Sequence, residues 1–157
     1  MRSEYWVNAD GLTIGQGPAN TKNVEAATIE TKGNVRSIEM EVYFDEDGST
    51  ASMKKAVLPA GARVLSAAMV VSTAFTGGTA ITVGTITADG LTADADALVT
   101  ATEGAVANLT ANAVVTGAGV LAGKVVTSDV QVTYTRTGTF TAGRGSVVIE
   151  YVMPSAK

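Results

Sequence analysis

Apolar residues recur at every second position in run after run, and this confines the chain to strands. In VRSIEMEVYF, Ile38, Met40, Val42 and Phe44 fall on one face, with Glu39, Glu41 and Tyr43 on the other. A period of two is the mark of a strand with one buried face. VLSAAMVVSTAF repeats the pattern with Leu65, Ala67, Met69, Val71, Thr73 and Phe75 on one side, and Gly77 and Gly78 close the run. TAITVGTI, Thr79 to Ile86, is a further short strand in which Gly84 marks a bulge. DVQVTYTR groups Val130, Val132 and Tyr134, and SVVIEYVM groups Val147, Ile149, Tyr151 and Met153 opposite Glu150. TGTFTAGRG, lying between these two, reads as their hairpin loop. DEDGS, Asp45 to Ser49, reads as a turn. From Leu91 to Val115 the alanines leave room for a helical turn, but Thr, Val and Gly favour short strands and loops. Seven or eight short strands between Gly- and Thr-rich turns make an all-β fold, an antiparallel sandwich or jelly-roll-like body.

Charge divides the chain. Residues 1–55 hold 6 Lys/Arg and 9 Asp/Glu, whereas residues 56–157 hold 5 and 6. The reading is an extended N-terminal arm, residues 1–34, leading into one β-sandwich body, residues 35–157. At 46% hydrophobic and 17% charged, the chain has the means to bury a core. The only tryptophan, Trp6, stands beside Tyr5 near the start of the arm. Two rings of this size need a pocket, in their own body or in a partner.

Much chemistry is excluded by what is missing. Histidine and cysteine are both absent, which removes the usual general base, imidazole and thiolate metal ligands, and every His-activated nucleophile. A net charge of −4 argues against nucleic-acid binding, which calls for a basic face. The uncharged stretch Gly104 to Gly123 is as long as a membrane span, but Asn108, Thr110, Asn112 and Thr116 interrupt it, so sheet and turns are expected and no membrane partner. The start shows no apolar signal segment.

The remaining motifs reduce to turns. Asp94 and Asp96, with Asp89 nearby, could face a hard cation, but an acidic solvated loop accounts for them, and no metal or cofactor is expected. DEDG resembles the start of a calcium loop, yet Ala56 stands where its glutamate belongs. IGQGP lacks the lysine of a phosphate loop, and Asn108 to Thr110 is a sequon with no secretion signal. Ser52 with Lys54 and Lys55 reads as a solvated face. NADGL and TADGL, Asn8 to Leu12 and Thr87 to Leu91, share a turn in which Asp caps and Gly takes positive φ. No catalytic constellation survives, so no enzyme is expected.

Several phrases together resemble a family. YWVNADGL opens the chain, IEMEV, LPAGARV, AFTGGT and DADAL follow, and GTFTAGRGSVVIEY closes it. They are similar to the small structural proteins of tailed-phage virions, marine and cyanobacterial phages above all, that decorate or cement the capsid. Within DADAL, Ala97 replaces an expected glycine. The resemblance implies a non-enzymatic protein on the outer surface of the virion. It would be a homo-trimer bound to the major capsid protein, with Tyr5, Trp6, Val7, Leu12 and Ile14 as anchors. The alternative is a tail or fibre component with a receptor- or carbohydrate-binding sandwich.

Overall fold

The computed structural model describes residues 4–7 and 13–16 as backbone, and residues 35–46 and 56–154 in full. Met1–Gly33 and Asn34–Lys157 form two compact units. In the first, β1 (Glu4–Val7) pairs antiparallel with β2 (Thr13–Gln16), in a register that sets Tyr5 opposite Gly15 and Trp6 opposite Ile14.

The second unit holds eight strands. These are β3 (Val35–Tyr43), β4 (Val57–Leu58), β5 (Arg63–Gly77), β6 (Ala80–Thr87), β7 (Ala93–Val99), β8 (Val114–Thr116), β9 (Val130–Thr137) and β10 (Phe140–Val152). Their pairing is nested: β6 with β7, β5 with β8, β4 with β9 and β3 with β10, all antiparallel. This long ribbon is folded over so that β10 also pairs with β5, and β9 with β6. Two four-stranded sheets result, β3-β10-β5-β8 and β4-β9-β6-β7. The body is therefore an all-β antiparallel sandwich of two sheets, as the alternating runs lead one to expect. The Leu91–Val115 region holds β7, a 3₁₀ turn at Val106–Asn108 and the start of β8.

Alternation places the core. Met40, Val42, Met69, Val71, Val147 and Ile149 face Leu58, Ile81, Val83, Val132 and Tyr134 across the interior. At one end Phe75 and Phe140 meet edge to face, with centroids 6.0 Å apart. There Arg136 donates to the Phe44 carbonyl.

Three expectations need correction. Leu65 and Thr73 do not share the inward face of β5, because both are exposed. Bulges cause this: Tyr151 pairs with Val64 but Glu150 with Ser66, so Leu65 is the extra residue, and a second shift near Arg144 turns Thr73 outward. An inserted residue reverses the side on which the following positions lie. Third, the TGTFTAGRG loop is only Gly138–Thr139, and β10 is already under way at Phe140.

The bulge expected at Gly84 is present, and its extra residues lie on the partner strand. Between the pairs Val83–Val99 and Thr85–Asp94, β7 advances five residues while β6 advances two. The surplus lies over Gly84, where a Cβ would stand 1.9 Å from the Asp94 carbonyl oxygen. Only glycine admits so close a backbone.

The bulge also closes one edge of the sandwich. Gly119 N–H donates to Leu98 O at 3.1 Å, and Leu121 N–H to Ala97 O at 2.9 Å. The same segment continues along β5, with Gly117 N–H on Ala67 O and Gly123 N–H on Val64 O. Residues 117–123 thus stitch β7 of one sheet to β5 of the other.

Candidate interaction surface

Among the described residues no group of three or more His, Cys, Asp or Glu could hold a metal ion, and no helix is long and apolar enough to cross a membrane. In the β6–β7 connection Asp89 closes a turn. Asp89 Oδ1 accepts from the Thr87 hydroxyl at 2.5 Å and from the Leu91 N–H at 3.0 Å. The Thr87 N–H bonds Thr92 O, the Thr92 N–H returns to Thr87 Oγ1, and Gly90 takes φ +72°. This is the turn read from TADGL, with Asp as cap and Gly in the left-handed region. Asp94 and Asp96 lie exposed on β7 just beyond it.

The hydrogen bond from Thr87, then that from Leu91, holds the Asp89 carboxyl below the usual carboxylate range. A depressed folded value means that the ordered turn is favoured above the unfolded value of about 3.9, and that this contribution is lost as pH falls through the folded value. The Leu91 amide resonance should therefore titrate with a midpoint lower than that of an unstructured aspartate. A midpoint at or above that of the free residue would show that Asp89 does not cap the turn.

Apolar exposure is concentrated. Among the described residues the large apolar side chains that stand exposed are Val35, Val57, Leu65, Val70, Leu91, Val114, Val120 and Val125. Five of these eight, Val35, Val57, Leu65, Leu91 and Val125, belong to one end of the sandwich. Pairing fixes the placement: Val35 lies opposite Val152, Val152 opposite Arg63, and Arg63 opposite Val125. In the other sheet Val57 lies opposite Gln131, and Thr87, which leads into the Leu91 turn, opposite Val130. The short link from Leu58 to Arg63 joins the two bases, and Gly61 N–H bonds Val126 O at 2.8 Å. Scattered exposed leucines and valines are ordinary, but their concentration at one end makes it a candidate contact surface.

The outward faces of the two sheets differ as well. In β4-β9-β6-β7, the outward Thr82 and Thr133 are buried. In β3-β10-β5-β8, Val70 and Val114 are paired and exposed along the β8 edge of the face. Near the far end of that face Arg144 lies 5.2 Å above the Tyr43 ring and bonds Glu41 at 3.1 Å. The Tyr43 hydroxyl donates to the same carboxylate.

Of the residues expected as anchors, Tyr5, Trp6, Val7 and Ile14 lie on the β1–β2 hairpin by backbone, and their side chains are outside the described residues. Leu12, the Asn8–Leu12 turn, Asp47–Ser49, and Ser52 with Lys54 and Lys55 also lie outside them. The apolar end of the body was not foreseen. Its one local signal is Leu91, a large aliphatic residue where a turn would normally be polar.

No family model matches the chain, and no curated protein matches it. Among solved structures, the Cyanophage Pam1 capsid asymmetric unit contains a chain that is 21% identical, with a TM-score of 0.52. The alignment covers 94% of this chain and 98% of that one, so the likeness in fold extends over nearly the whole length of both.

Proposed function

We propose that this protein is a non-enzymatic structural component of a phage virion, and specifically a decoration or cement protein on the outside of the head. The observation that carries the reading is the near full-length likeness in fold to a chain of a cyanophage capsid. Chemistry supports it from the other side. The chain offers neither His nor Cys, its net charge is −4, and its most distinctive surface is an apolar end suited to protein contact.

In this role the body is a rigid, repeated unit, and the first 34 residues grip the major capsid protein. Tyr5 and Trp6, with Val7, Leu12 and Ile14, are the anchors, since Trp and Tyr dominate the energy of protein interfaces. Association of the body as a trimer adds avidity, because each gripping segment then acts at high effective concentration.

Quantitative mass spectrometry of purified particles, with image reconstruction of the head, tests the reading. The protein should be present in amounts comparable to the major capsid protein, with density on the outer shell. A few copies per particle at the tail would establish the fibre role instead. Absence from the particle would end both readings.

A further inference from the structure

The β6–β7 tip and the base of the β3-β10-β5-β8 face are complementary in charge, and each sets its charges beside exposed apolar side chains. The tip presents Leu91 at 84% exposure, among the exposed carboxylates of Asp89, Asp94 and Asp96. Asp89, Thr87 and Thr92 hold this turn closed through the hydrogen bonds described above, so the leucine is projected by a built structure. A rigid, projecting apolar side chain gives up little freedom on docking. The base of the face is its counterpart. Leu65 and Val125 are 46% and 53% exposed beside Arg63, with Lys124 alongside, and Val35, 56% exposed, lies two strands away across Val152. Arg63 and Lys124 are both exposed, and among the described residues neither makes an ion pair. The tip does not fill its own base, as the exposure of Leu91 shows.

We propose that the occupant of this apolar base is the Leu91 tip of a second copy of the same chain. The leucine seats beside Arg63, against Leu65 and Val125, and the tip carboxylates face Arg63 and Lys124. In the trimer proposed above the contact is head-to-tail, each tip filling the base of the next copy around a closed ring. The inference deepens the trimer of the proposed function and is tested on the free protein, apart from any particle.

Sedimentation of the full chain over a range of micromolar concentrations provides the test. Wild type should associate, and added salt should weaken it, because exposed charges are screened. Leu91→Ser should raise the dissociation constant about tenfold or more, as loss of a central anchor does. R63E with K124E should do the same, and circular dichroism should show both variants folded. Mixing the two variants gives the decisive result. Each retains the patch that the other lacks, so one good contact forms and the mixture should stop at dimers. A chain that combines R63E and K124E with D94K and D96K should regain the wild-type assembly. A monomeric wild type would overturn the proposal, as would Leu91→Ser associating like wild type or variants that remain monomeric when mixed. If association follows this pattern but the protein is missing from virions, the contact stands and the capsid role falls.

Discussion

Gly84→Ala should cost about 3 kcal/mol or more of folding stability, at the upper end of overpacking effects. The atoms in the way are backbone: Asp94 O at 1.9 Å, Ala95 C at 2.4 Å and Ala95 Cα at 2.7 Å from the added Cβ. Side chains swing aside, but this stretch of β7 is fixed from behind by the bonds of Gly119 and Leu121 to Leu98 O and Ala97 O. Relief therefore means lifting the bulge and unstitching the closed edge of the sandwich. Gly90→Ala is the control. Its φ of +72° is strained for alanine, but nothing lies within 4 Å of the added Cβ, so about 1 kcal/mol is expected. Urea unfolding of both variants makes the comparison. Equal losses at the two positions would mean that the bulge is not seated on Gly84.

Trp6→Ala in the full chain should cost on the order of 2 kcal/mol or more of particle binding, and leave unfolding of the body unchanged. Deletion of residues 1–34 should abolish particle binding altogether. The expectation follows from the division into two compact units and from the core, whose described members run from Met40 to Tyr151. Trp6 is the sole tryptophan, so its emission reports this one site. It should be red-shifted in the free protein and move to the blue on binding. The opposite result has its own signature. A tryptophan packed in the protein's own core would emit in the blue from the start, and its loss would destabilise the fold by about 3–5 kcal/mol.

The strands were legible wherever one face is buried and no residue is inserted. Met40 with Val42, Val132 with Tyr134, and Val147 with Ile149 all lie inward as their alternation requires. Leu65 and Thr73 were misplaced because a bulge is a property of two strands, and β10, its other member, lies some eighty residues further along the chain. The start of β10 read as a loop because of its glycines. In the structure Gly143 faces the Phe75 ring and Gly145 the Val70 carbonyl, so both mark close packing in place of a turn. The apolar end was hidden for a related reason. Val35, Leu65 and Val125 come to the same end only when β3, β10, β5 and the segment after β8 are laid side by side. No window of sequence contains all three.

The nested pairing also dictates an order of assembly. The innermost rung joins Ile86 to Ala93 through a short turn, whereas the outermost joins Val35 to Val152 across most of the body. Closing a loop costs entropy that grows with its length, and chains dominated by distant pairings fold in milliseconds to seconds. Until β10 has been synthesised, β3 lacks the partner that gives it a place in a sheet. Glu39 and Glu41 put charge along this strand, and charge along an unpaired strand discourages pairing with the wrong chain. These glutamates guard the unpaired strand before they serve the finished sheet.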